Sequence, residues 1–219
     1  MRKQLLVMML ALSGVACDIE DGNDKVNGSI NVAAGQAADN ASTVNGAIHV
    51  ASSAAVKHAE TVNGSITIGD QATADSAETV NGSITIGTNA HVTGDISSVN
   101  GSLTLQKGAD VAGKLENVNG RFDLDAAHVG GGIRTVTGDI TVGADSRVEG
   151  GITVEQPSGG FNISFSKSVP VVIIGPGATV QGPLKFEREV KLYVSDRATI
   201  GEVTGATPIK FSGDQPPKI

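Results

Sequence analysis

Four side chains that could do chemistry recur along this chain, one to a repeat: His91, Asp110, His128 and Arg147. Two imidazoles with a carboxylate between them could ligate zinc, and His91, Asp110 and His128 are the candidates. No third strong ligand joins them, so a solvated, charged face is the larger reading and a metal site the smaller one. Asp123, Asp125 and Asp139 could form a second, acidic cluster. A third set is made of hydroxyls: Ser65, Thr67, Ser83, Thr85, Ser102 and Thr104. Residues of this kind are also ordinary strand surface. No Ser/His/Asp constellation, P-loop or dinucleotide fingerprint accompanies any of these sets.

The elements that position these residues are repeats. Val-Asn-Gly occurs at Val26, Val44, Val62, Val80, Val99 and Val118, and the variant Val136-Thr137-Gly138 follows. The step between copies is constant, apart from a single extra residue before Val99 and another before Val118. Within a unit, Ile66 and Ile68 alternate with Ser65 and Thr67. This is a period of two, the mark of a strand with one apolar face. The apolar columns run through Ile30, Ile48, Ile84, Leu103, Phe122 and Ile140, and through Val32, Val50, Ile86, Leu105, Leu124 and Val142. Later units add a second phrase, as in Ala109-Asp110-Val111-Ala112-Gly113-Lys114-Leu115. Three short strands joined by glycine-rich corners make one triangular coil of a single-stranded parallel β-helix. Stacked coils share a core that one coil cannot close alone. About ten coils at ~4.8 Å each give a rod ~45–50 Å long. The competing reading takes Asn-Gly as a two-residue hairpin turn and gives an antiparallel meander. It leaves the Gly- and Ala-rich second half of each unit unexplained. In the solenoid, Asn27, Asn45, Asn63, Asn81, Asn100 and Asn119 are expected to stack as a hydrogen-bonded ladder, each at a corner in the left-handed backbone conformation.

Composition agrees with an all-β solenoid. Of 219 residues, 29 are glycine and six aromatic, so Ile, Val, Leu and Ala must fill the core. The first three units carry Ala where later ones carry Val or Leu, and their interior is expected to be thinner. The net charge of -7 comes without a basic stripe, which excludes nucleic acid as a partner.

The N-terminus reads as an export signal. Arg2 and Lys3 precede the apolar run Leu5 to Leu12, which is too short to span a bilayer. Ser13-Gly14-Val15-Ala16-Cys17 follows and resembles a bacterial lipobox, with the chain's single cysteine where lipidation would fall. That resemblance implies cleavage between Ala16 and Cys17 and acyl chains on Cys17, holding the protein to a membrane. Residues 17–25 form an acidic tether. Residues 26–155 are the regular repeats, 156–209 atypical coils and a cap, and 210–219 a polar tail. The third segment opens with Pro157-Ser158-Gly159-Gly160 and holds Phe161, Phe165, Phe186 and Tyr193, with Phe211 just beyond it. Terminal units of a solenoid are atypical because they close its exposed edges.

Triangular coils of this length, with phrases such as Gly108-Ala109-Asp110-Val111-Ala112-Gly113-Lys114-Leu115 and Gly177-Ala178-Thr179-Val180-Gln181-Gly182-Pro183-Leu184, resemble the bactofilin, or polymer-forming cytoskeletal, family. They are also similar to adhesin-type β-solenoids of bacterial envelope proteins. Bactofilins are cytosolic as a rule and polymerise without nucleotide; the export signal departs from that pattern. What the resemblance implies here is a structural, self-assembling or adhesive role outside the cytosol, with no catalysis and no cofactor. Partners would be the membrane, through the lipid, and further copies of the chain. The alternative is a module that tracks a polysaccharide along its long face; scarce aromatics count against it, since sugar platforms favour Trp and Tyr. Hexapeptide acyltransferases use a surface histidine that His91 or His128 could imitate, but the helical extension and protruding loop of those enzymes have no counterpart in this sequence.

Overall fold

Alternation of Ile, Val and Leu with short polar residues leaves each strand one face to bury, and glycine corners let the chain turn before the strand outgrows that face. The computed structural model describes residues 24–157 and 169–217. The signal segment, Cys17, Phe161 and Phe165 therefore lie outside the described residues. The fold is an all-β parallel solenoid. A ladder of ten strands runs from Ile30–Val32 through Ile48–Val50, Ile66–Ile68 and Ile84–Ile86 to Ile209–Phe211, one rung per coil. Its register pairs Ile66 with Ile84, Ile84 with Leu103, and Leu103 with Phe122, as the spacing of the apolar columns requires. All these pairs are parallel, which excludes the hairpin meander.

Two further ladders close the coil. One holds Thr73-Ala74, His91–Val92, Asp110–Val111, His128–Val129 and Arg147–Val148; the other holds Ala77, Ile96–Asn100, Leu115–Asn119 and Ile133–Thr135. In the early coils the two ladders are one. Ala37–Asn45, Ala55–Asn63 and Thr73–Asn81 are unbroken long strands rather than the two short ones expected. Their corner holds Asp39-Asn40, Lys57-His58 and Asp75-Ser76, which keep extended backbone. Thr93-Gly94-Asp95 and its successors break the strand there. The thinner interior of the early coils is present: Ala41, Ala59 and Ala77 occupy the buried column that Ile96, Leu115 and Ile133 fill later.

The coil-to-coil step stays at one repeat as far as Ile140, which pairs with Val172 across a much longer stretch of chain. The surplus falls between Ile152–Val154 and Val171–Ile174, around the Pro157 break. Beyond it the same columns resume in Val171–Ile174, Thr179–Val180, Leu184–Phe186 and Lys191–Ser195, with Phe186, Tyr193 and Phe211 buried. Lys210 and Phe211 belong to the last strand. The tail that follows is described to Pro217 and is tied back by Arg197 Nη2 to Asp214 Oδ1, 2.7 Å.

The asparagine ladder forms. Asn45 Nδ2 donates to Asn27 Oδ1, Asn63 to Asn45, and Asn81 to Asn63, each at 3.0 Å, and Asn100 to Asn81 at 3.1 Å. Asn119 Oδ1 instead accepts from Thr137 Oγ1. Its backbone differs from expectation. None of these asparagines is left-handed; each ends a strand in extended form, which is what keeps the amides in register. The left-handed column lies at another corner, in Gly35, Ser53, Gln71, Asn89, Gly108, Ala126, Asp145 and Gly177. The glycine after each asparagine answers a different need. A Cβ on Gly46, Gly64, Gly82 or Gly101 would overlap the carbonyl of the equivalent glycine one coil below.

Two residues before each asparagine from Asn45 to Asn119, an inward polar group completes the corner. Thr43, Thr61 and Thr79 donate Oγ1 to the carbonyls of Gly28, Gly46 and Gly64 at 3.0–3.1 Å, and Ser98 and Asn117 continue the series to Gly82 and Gly101. All five are buried. Thr79→Val keeps the shape and strands the Gly64 carbonyl. The expected loss is about 1–3 kcal/mol, read as a lower urea midpoint with an unchanged slope. An unaltered midpoint would mean that water reaches the corner.

Candidate functional site

His91, Asp110, His128 and Arg147 are the outward residues of four two-residue strands whose inward residue, Val92, Val111, Val129 or Val148, is buried in the core. Parallel register sets them directly over one another on consecutive coils. Spacing alone gives a column; the side chains make it a continuous chain. His91 Nδ1 lies 2.8 Å from Asp110 Oδ2, and His128 Nδ1 2.6 Å from Asp110 Oδ1. An ionised carboxylate only accepts, so both rings carry hydrogen on Nδ1. His128 Nε2 faces Glu149 Oε1 at 3.4 Å, and Arg147 Nε donates to the same oxygen at 3.1 Å.

Glu149 is the member that spacing does not single out. It sits two residues past Arg147, on the next outward position of the same coil, and a search down one column passes it by. The signal is available in Ser146-Arg147-Val148-Glu149, where the alternation puts both charges on one face.

Chemically this is a column of polar contacts in which each oxygen of Asp110 takes one imidazole, and Glu149 accepts from Arg147 with His128 Nε2 nearby. Both oxygens of Asp110 are engaged by the imidazoles that flank it. Among the described residues no group of three or more His, Cys, Asp or Glu is arranged to hold a metal ion. Burial pushes the Asp110 carboxyl up, but hydrogen bonds from His128 and then His91 outweigh it and hold the group below the usual aspartate range. A lowered acid pKa means that the ionised form stabilises the fold. That contribution is complete above the ordinary aspartate pKa and is lost as pH falls through the lower value in the folded chain. Asp110→Asn should therefore lower Tm at neutral pH, and the gap to the unaltered chain should close in acid. Side chains this exposed, near 40%, keep the effect within about 1 kcal/mol. A gap independent of pH would show that shape, not charge, matters at this position.

The other acidic positions are arranged differently. Asp123 shares a rung with Thr141, and its carboxyl is raised, first by burial and then by Asp139, against Arg121 and Thr141, which pull it down. Asp139 Oδ1 accepts from the Val171 amide at 2.9 Å, so it ties the rung beyond the long step to the one before it. Asp125 stands at the following corner. On the third ladder Glu60 and Glu78 face each other on adjacent rungs. Burial, with Glu60 and Asp95 behind it, raises the Glu78 carboxyl. Arg134 answers the same column further on, between Glu155 at 3.4 Å and Glu116 at 3.9 Å.

The hydroxyl face is present where the alternation places it. Thr67, Thr85 and Thr104 share one column, interrupted by Asp123 and resumed at Thr141. In the serine column beside it, Ser29 Oγ accepts from Ala47 N and Ser83 Oγ from Ser102 N.

The chain matches no protein-family model, no curated protein and no solved structure. The solenoid of about ten turns stands on its own geometry, and neither the bactofilin nor the adhesin resemblance gains a relative from these comparisons.

Proposed function

We propose that this protein is a non-catalytic, lipid-anchored rod of the bacterial envelope, working as a self-assembling or adhesive element of the bactofilin-like or adhesin-like kind. One observation carries the reading: the side chains with catalytic potential are engaged in holding one coil to the next. Asp110 links His91 to His128, Glu149 pairs with Arg147, and Asp139 links rungs across the long step. Such a surface offers a regular lattice of backbone and small polar groups rather than a reactive centre. Among the described residues the first strands, Asp24–Asn27 and Ile30–Val32, pair on one side only, and Val26 is 60% exposed there. An edge of that kind favours association with another chain. Lipidation at Cys17 would set the rod within a short tether of the membrane.

Sedimentation velocity with negative-stain microscopy, at rising protein concentration, tests the assembly. Mass that climbs with concentration, or filaments, is the expected result, with loss of both on Val26→Lys. A strict monomer at every concentration would overturn it.

A further inference from the structure

The polar tail does more than end the chain. After Phe211 it turns back along the rod, and with the seventh and eighth coils it walls a pocket of ≈ 440 Å³. The Arg197–Asp214 ion pair, between exposed side chains, links the tail to the corner after Lys191–Ser195. The floor is Ile173 with the corner Gly175-Pro176-Gly177; Phe211 and Pro216 add apolar surface from the tail side. Asp145 and Gln215 are among the lining residues and supply planar polar groups. Asp145 is held in the left-handed conformation, φ 57°, which turns its side chain to the glycine corner of the next coil, against Gly177.

We propose that this pocket binds a neutral hydroxylated ring of one- or two-sugar size, the end of a glycan. Volume and lining fall in the range of small-molecule sites, with apolar walls and a few convergent polar groups. Charge selects among ligands. The lining holds two carboxylates, Asp145 and Asp214, against one guanidinium, Arg197, which is already paired with Asp214. Anions are therefore disfavoured. A carboxylate takes two neighbouring hydroxyls at once, and an amide both donates and accepts. Pro176, Pro216 and Ile173 suit the C–H face of a pyranose. The site stands apart from the long face of the rod, and a monomer carries it as fully as an assembly does, so its test does not depend on self-association.

Saturation-transfer NMR on the full chain, with glucose, galactose, mannose, N-acetylglucosamine, cellobiose, lactose and chitobiose as probes, reads binding directly. At least one sugar is expected to bind with a Kd on the order of 1 mM, a weak affinity of about -4 kcal/mol. Asp145→Asn, which keeps the left-handed backbone accessible, and Gln215→Ala should each weaken it about tenfold, the loss of one good hydrogen bond. Both variants should melt with the unaltered chain, since neither side chain lies in the core. No binding by any probe at about 50-fold that concentration, or binding that survives both substitutions, would overturn the proposal.

Discussion

Phe122→Ala is expected to remove about 3–5 kcal/mol of stability, the cost of deleting a fully buried aromatic and leaving a cavity. Phe122 is fully buried and stands in one column with Leu103 of the preceding coil and Ile140 of the following one. The backbone of its neighbours in the column is held by hydrogen bonds on both edges, which limits collapse into the gap. Leu103 N donates to Arg121 O at 2.8 Å, and Phe122 N to Asp139 O at 2.9 Å. In a solenoid each coil touches only its neighbours, so the loss falls on coils five to seven. Hydrogen exchange should show those amides opening early while Ile48–Val50 and Ile66–Ile68 keep their protection. Uniform loss along the rod would mean that it unfolds as one cooperative unit.

Gly82→Ala should be the next most damaging change. A Cβ there overlaps the carbonyl of Gly64 and comes within 3.1 Å of Ser65 N. The coils cannot part to admit it, since Gly64 N donates to Asn81 O and Ile66 N to Ser83 O across the same gap. Forcing a methyl into such a contact costs typically about 1–3 kcal/mol, and more where the backbone itself is the obstacle. Gly35→Asn is the contrast. Gly35 has φ 71° and nothing within 4 Å, in a column where Asn89 and Asp145 already adopt the left-handed form. It should melt close to the unaltered chain. If Gly82→Ala also melted there, the glycine after asparagine would not be needed for the spacing of the coils.

Both changes separate two uses of glycine that look alike in the sequence. Asn-Gly read alone suggests a left-handed asparagine at a tight turn. What the stacked coils require is an extended asparagine for the ladder and a residue without Cβ beside it. The left-handed position is carried elsewhere, by residues as unlike as Ser53, Gln71 and Ala126. Gly35, Asn89, Gly108, Asp145 and Gly177 carry the usual left-handed preference, whereas at Ser53, Gln71 and Ala126 no local pattern marks the corner and the coils on either side impose it.

The period, the apolar columns and the fold class are all legible in the residues alone. Parallel register and a repeat of nearly constant length leave little freedom once Ile66, Ile84 and Leu103 must share a core. The same register puts His91, Asp110, His128 and Arg147 in one column. What that column is depends on packing. The 2.8 and 2.6 Å contacts of Asp110 rest on rotamers set by neighbouring coils, and Glu149 enters from an adjacent outward position. The inward hydroxyls of Thr43, Thr61 and Thr79 are equally beyond the reach of pattern, since a polar residue on an apolar face has meaning only beside the carbonyl it satisfies. The same holds for the pocket under the tail. Asp145 and Gln215 are far apart in the chain and line one pocket only in the folded molecule. Periodicity governs which residues recur on a face; contacts between coils govern what those residues can do.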